Sequence, residues 1–112
     1  MTPTTDTTLG SFEEQVILAV LRTRDEAYGM SVRREIERVT ERDVAIGAVY
    51  ATLDRLEAKG LVDSGRVRTG GASRRLFEVT PAGARALAET RAIREKLWQG
   101  VDLRRLHALA GA

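Results

Sequence analysis

Apolar and polar positions change period along this chain, and each change marks an element. From Ile46 to Ala58, Val49, Leu53 and Leu56 recur at helical spacing and give one apolar face. Gly60 follows Lys59, a glycine just past a cationic last turn, which stops a helix. Leu61 to Val67 then reads as a strand, and Thr69, Gly70 and Gly71 are turn formers. Arg74 to Val79 return as a strand, with Arg75, Phe77 and Val79 alternating against Leu76 and Glu78.

Upstream, Phe12, Val16, Ile17, Val20 and Leu21 predict a helix that Ser11 opens. Ser11 and Glu14 stand in the S-x-x-E spacing of a capping box. A polar exit, Arg22 to Glu26, and Tyr28-Gly29-Met30-Ser31 lead into a second helix ending near Val39. Val32, Ile36 and Val39 share one face of it, and Arg33, Arg34, Glu35, Glu37 and Arg38 take the other. Thr40 to Asp43 is a polar turn, and Val44-Ala45-Ile46 an extended lead into the third helix. Residues 1–10, MTPTTDTTLG, lack apolar periodicity and predict a disordered arm.

After the hairpin, Thr80 as N-cap and Pro81 at the first helical position start a further helix, to about Gln99. Its apolar positions are Ala86, Leu87, Ile93, Leu97 and Trp98, with Thr90 between. Positions 86, 90, 93 and 97 have the 4-3-4 spacing of a coiled-coil seam, over less than two heptads. Leu103, Leu106 and Leu109 suggest a short final helix.

The predicted fold is mainly α with a small β-hairpin: a winged helix-turn-helix plus a C-terminal dimerisation helix. Residues 1–10 form the arm, 11–79 the DNA-binding domain, and 80–112 the dimerisation helix and tail. In that fold the third helix enters a DNA major groove and the hairpin lies along the adjacent backbone. A helix packed on a hairpin in another small α+β domain is the plainer alternative.

Composition narrows the function classes. At 112 residues and 43% hydrophobic content the chain is one small domain that a partner would help to bury. With no cysteine and a single histidine, His107, it has neither a thiolate nor a histidine-based metal site, and no cofactor is expected. There is no Ser-His-Asp arrangement and no P-loop, which argues against an enzyme. The N-terminus shows no basic-then-apolar signal and no apolar run is long enough to span a membrane, so a cytoplasmic protein is expected. The net charge is only +2, but between Arg55 and Arg75 six basic residues face two acidic ones, a local excess of four. That basic hairpin favours double-stranded DNA as partner; an apolar one would have favoured a protein-binding winged helix.

The segments AYGMSVRREIE, IGAVYATLDRLEAKGLV and RRLFEVTPAGARAL together resemble the PadR-type winged-helix transcriptional regulators. The resemblance rests on the Tyr28-Gly29 pair, on Tyr50, Leu53, Leu56, Gly60 and Leu61, and on Val79, Thr80 and Gly83. It covers roughly residues 12–88. Ala51 replaces a proline common after the helix tyrosine, and Leu76-Phe77 replaces an aromatic pair. About thirty residues follow the wing, as in the small subfamily that dimerises through one C-terminal helix. The resemblance implies a homodimeric repressor. It also implies, for some members, an interfacial cavity for a flat aromatic effector, for which Trp98 is either a wall or a plain interface anchor.

The candidate residues follow. With Val49, Leu53 and Leu56 inward, Gly47, Tyr50, Ala51, Asp54 and Arg55 face outward. Gly47 and Ala51 let backbone approach bases, Tyr50 donates to a phosphate or stacks at the groove edge, and Arg55 reaches a phosphate or a guanine. Asp54 would be repelled by phosphate, so it pairs with a basic neighbour such as Arg55 or accepts from a cytosine amine. Lys59 extends the basic run. Tyr28 and Ser31 lie at a helix N-terminus aimed at a phosphate. Arg66, Arg68, Arg74 and Arg75 hold phosphates, or one enters the minor groove. Gly70 and Gly71 supply the positive φ of a tight tip. Phe12, Leu87, Thr90, Ile93, Leu97 and Trp98 are the dimerisation candidates.

Overall fold

A computed structural model describes residues 8–111. The order is α1 (Ser11–Thr23), a 3-10 turn (Arg24–Glu26), α2 (Gly29–Thr40), α3 (Ile46–Ala58), β1 (Val62–Thr69), β2 (Ala72–Val79), α4 (Pro81–Trp98) and α5 (Leu103–Leu109). The mainly α fold with one antiparallel hairpin is as the periodicity predicts, and the short final helix is present. No helix among the described residues is long and apolar enough to cross a membrane.

One core joins α1, α2, α3 and the hairpin base. Val16, Ile17, Val32, Val49, Leu53, Leu56, Val62 and Phe77 are its largest fully buried side chains. Two apolar positions assigned to helix faces point outward instead: Leu21 is 48% exposed and Val39 53%. Ala19 takes the inner place on α1.

The expected arm falls mostly on residues 1–7, which lie outside the described residues. Leu9, read as part of it, is buried, and its amide donates to Thr90 Oγ1 at 3.0 Å. The opening of α1 also differs from the expected box. Gly10 is the N-cap, so N3 is Glu13, whose Oε1 accepts the Gly10 amide at 3.0 Å. Glu14 is buried and accepts from Arg94 Nη1 at 2.6 Å, tying α1 to α4.

The end of α3 closes as a glycine-capped Schellman motif. Gly60 (φ +76°) donates to Glu57 O and Leu61 donates to Leu56 O, both at 2.9 Å. The hairpin pairs Val62 with Val79 through Thr69 with Ala72. Gly70 and Gly71 (φ +58° and +82°) make its two-residue turn, where positive φ at both positions matches the strand twist. The outer edge of β2 is covered by the α1–α2 connection: Phe77 N donates to Ala27 O at 2.9 Å and Tyr28 bridges Leu76.

Thr80 caps α4 as expected, accepting the Gly83 amide at 3.0 Å, and its hydroxyl donates to Gly60 O at 2.7 Å. Gly83, Ala86 and Thr90 are the buried positions of α4. Beyond Thr90 every described residue is exposed, so the second half of α4 and all of α5 stand away from the core. The Cα radius of gyration, 16.7 Å, reflects that arm; a compact chain of this length would have about 13 Å. The 86-90-93-97 seam is therefore split. Ala86 and Thr90 face the domain, with the Thr90 hydroxyl donating to Ala86 O at 2.8 Å, while Ile93 and Leu97 face outward.

Candidate nucleic-acid interface

Two helix starts among the described residues have neither a side-chain cap nor an acidic first turn: α2, which opens after Tyr28, and α3, which opens after Ala45. By contrast, α4 has the Thr80 hydroxyl and α1 the Glu13 carboxylate. Ala48 N donates to Ala45 O at 3.1 Å, but the Gly29, Met30, Ser31, Ile46 and Gly47 amides have no acceptor among the described residues. At the positive end of a helix dipole, such amides suit an anion.

Tyr50 spans the two starts. Gly29 is buried, and a Cβ built there would overlap the Tyr50 ring. This close approach explains why glycine follows Tyr28. The ring thus leans on α2 while Tyr50 remains 38% exposed, and its hydroxyl has no hydrogen-bond partner among the described residues. Tyr28 is half-buried with the Arg74 guanidinium 4.0 Å above its ring. Tyr28, Met30, Tyr50, Arg66, Ser73, Arg74 and Arg75 line a cleft of about 360 Å³.

The outward face of α3 is as the periodicity predicts: Gly47, Tyr50, Ala51, Asp54 and Arg55 are all exposed. Gly47 has nothing within 4 Å of a built Cβ, so nothing within the chain requires a glycine there. Ser31 is half-buried in the first turn of α2.

The basic residues separate by their partners. Lys59 Nζ lies 2.9 Å and Arg55 Nε 3.7 Å from Glu13 Oε2, and Arg55 Nη2 also donates to Thr52 Oγ1 at 3.3 Å. Burial would raise the Glu13 carboxyl's pKa, but the Lys59 and Gly10 hydrogen bonds and the Lys59 and Arg55 charges hold it below its ordinary value. Both cations therefore stitch α3 to α1.

Arg75, expected to hold phosphate, is engaged within the chain. Nη1 donates to Asp54 Oδ1 at 2.8 Å, Nη2 to Glu57 Oε1 at 2.5 Å, and Nε to Ser64 Oγ at 3.0 Å. Asp54 thus does pair with a basic neighbour, but on the hairpin rather than on its own helix. The Arg75 and Ser64 hydrogen bonds lower the Glu57 pKa against burial and the Asp54 charge. Arg66 and Arg68 are exposed and have no ion-pair partner among the described residues. The register puts them on the Arg75 face of the hairpin and Arg74 on the other.

The dimerisation candidates divide in the same way. Phe12 packs on the core and Leu87 is partly buried against it. Thr90 is 7% exposed with its hydroxyl committed to Leu9 and Ala86, so it is a core residue of one chain. Ile93 (40% exposed), Leu97 (72%) and Trp98 (52%) remain open. Leu18, not singled out from the sequence, and Leu21, assigned there to the inner face of α1, line a groove between α1 and α4 with Leu87 and Ala88. The available signal for Leu18 was an apolar residue beside the α1 core stripe. Met30 and Ser73 were also missed in the basic cleft; strand alternation from Arg75 would have found Ser73.

The comparisons with known proteins agree with this geometry. Residues 17–89 match the model of the Transcriptional regulator PadR-like family. Transcriptional regulator Rv3488 of Mycobacterium tuberculosis is 41% identical over 73 residues, 65% of this chain and 67% of that protein. Among solved structures, a PadR family transcriptional regulator from Eggerthella lenta is 27% identical, with a TM-score of 0.64 over 76% of this chain and 75% of that one. RosR of H. salinarum shares the fold at 24% identity, with a TM-score of 0.66 over 91% of this chain and 88% of that one. The matched span runs from the α1 core through the uncapped helix starts and the basic wing into α4, and on it the chain belongs to the PadR-like family of transcriptional regulators.

Proposed function

We propose that the protein is a cytoplasmic, homodimeric repressor that binds a two-fold operator through α3 and the wing. Residues 11–79 are its DNA-binding domain and 80–112 its dimerisation helix and tail. The observation that carries this reading is the grouping of two uncapped helix starts with Arg66 and Arg68, which have no ion-pair partner among the described residues, beside an exposed α3 face. The open apolar run from Ile93 on α4 into α5 supports a second copy. In such a dimer the α3 helices would meet half-sites about 34–36 Å apart. Trp98 would then lie where an aromatic effector could be enclosed between copies.

The test is selection of bound fragments from sheared genomic DNA, followed by footprinting. A protected two-fold repeat supports the reading; absence of DNA binding at low salt overturns it in favour of a protein-binding winged helix. Arg66→Ala and Arg68→Ala should weaken binding to all sequences alike. Each should reduce the slope of log affinity against log salt by about 0.9. A change in sequence preference with nonspecific binding intact would instead make that arginine a reader of bases or groove shape.

Tyr50 allows a finer test. Tyr50→Phe keeps the ring against Gly29, so the melting temperature should stay unchanged. The lost hydroxyl should cost operator affinity roughly two- to tenfold, the worth of one neutral hydrogen bond. Unchanged affinity would remove Tyr50 from the interface.

A further inference from the structure

Among the described residues, the side-chain hydrogen bonds from the hairpin to α3 gather in one cluster, centred on one guanidinium and joined by Ser64. Arg75 sits midway along β2, opposite Arg66. Its planar fork reaches Asp54 and Glu57, one turn apart on α3, while its Nε reaches Ser64 on β1. The Cζ also lies 4.8 Å over the Phe77 ring, at the edge of the core. Ser64 Oγ completes the cluster against both Glu57 oxygens at 2.9 Å. Arginine alone presents donors in a rigid plane suited to such a set; a lysine would meet one carboxylate at a time. Beyond this cluster, residues 66–74 make no side-chain hydrogen bond to α3 among the described residues. Arg74, over the Tyr28 ring, ties the wing to the start of α2, and Arg75 holds the base of the wing against α3.

We propose that Arg75 is a positioning residue: it sets the angle of the wing against α3 and does not itself bind phosphate. Its effect on DNA then comes from where it places Arg66 and Arg68. The same contacts set one positive charge against the two carboxylates on that side of α3, offsetting half of a charge that would otherwise repel the DNA backbone. This inference rests on the DNA-binding reading above, but its first test does not use DNA.

In the free protein, hydrogen exchange of the wing amides from Arg66 to Arg74 should be roughly tenfold faster in Arg75→Gln than in wild type, because its opening no longer breaks charged hydrogen bonds. The core amides of α1 should be unchanged. Unchanged wing exchange overturns the brace, whatever the protein binds. The second test is affinity for selected genomic fragments across a salt series, with Arg68→Gln as the phosphate-contact control. Arg75→Gln should lose operator affinity roughly tenfold while keeping the wild-type salt slope. Arg75→Lys, which keeps the charge without the fork, should recover only part of it. A slope reduced as in Arg68→Gln would make Arg75 a phosphate contact. Full recovery in the triple variant Asp54→Asn, Glu57→Gln, Arg75→Gln would make it a charge neutraliser; either outcome overturns positioning. If wild type binds no DNA, the DNA reading fails while the exchange result still decides the brace.

Discussion

Gly83→Ala is expected to lower the melting temperature by roughly 10–20 °C, the largest stability effect of any single methyl in this domain. A Cβ built on Gly83 falls on the Leu61 carbonyl oxygen and also reaches Leu61 C and Val79 Cγ1. Leu61 cannot yield easily. Its amide closes the Schellman end of α3 and its carbonyl accepts from Thr80 N at 3.1 Å, so the obstructing atom is pinned backbone. Overpacking of this kind costs about 3 kcal/mol. Because the junction joins the end of α3, the start of β1 and the start of α4, misplacement should reach the wing and the dimer arm together. Gly47→Ala is the control. It adds a methyl in open space inside a helix, which should stabilise the domain by about 0.5–1 kcal/mol, while any close approach of that backbone to DNA is lost. Thermal melting and DNA affinity of both variants separate the two glycines. A Gly83→Ala protein melting within about 2 °C of wild type would show that the junction relaxes, and would remove the packing account of this glycine.

What the sequence made legible was local. Gly60 past a cationic turn, Gly70-Gly71 between alternating runs, and Thr80-Pro81 at a helix start each depend on backbone geometry within a few residues, and all three stand where expected. The outward face of α3 followed from a period that three buried side chains enforce. What was not legible depended on partners distant in the chain. Glu14 looked like a cap residue because its partner Arg94 is 80 positions away. Thr90 looked like a seam position because Leu9, 81 positions before it, was read as part of an arm. The partners of Arg75 were not legible because charge clustering counts cations without showing which carboxylates face them. Asp54 carried the one clue: an acid on a DNA-facing helix needs a cation, and the strand register brings one.

Replacing Leu97 and Trp98 together by glutamate is expected to yield a folded monomer with weak operator binding. Both side chains are open, at 72% and 52% exposure, and lie beyond Thr90, the last buried position, so charging them disturbs no packing within the chain. The position of the cut matters for the same reason. Truncation from Ala86 would remove Ala86 and Thr90 and damage the core through Leu9, whereas truncation from Ile93 spares both. In a dimer, the second half-site is bound at the effective concentration set by the first, which raises affinity by about 10²–10⁴ without a new contact. Loss of the partner should therefore weaken operator binding at least about 100-fold, while nonspecific binding per domain and its salt slope persist. Sedimentation of wild type and variant at micromolar concentration, beside binding to one and two half-sites, measures both effects. A wild-type protein that sediments as a monomer, or a glutamate variant that still dimerises, would show that α4 and α5 are not the interface. The apolar arm would then need another occupant.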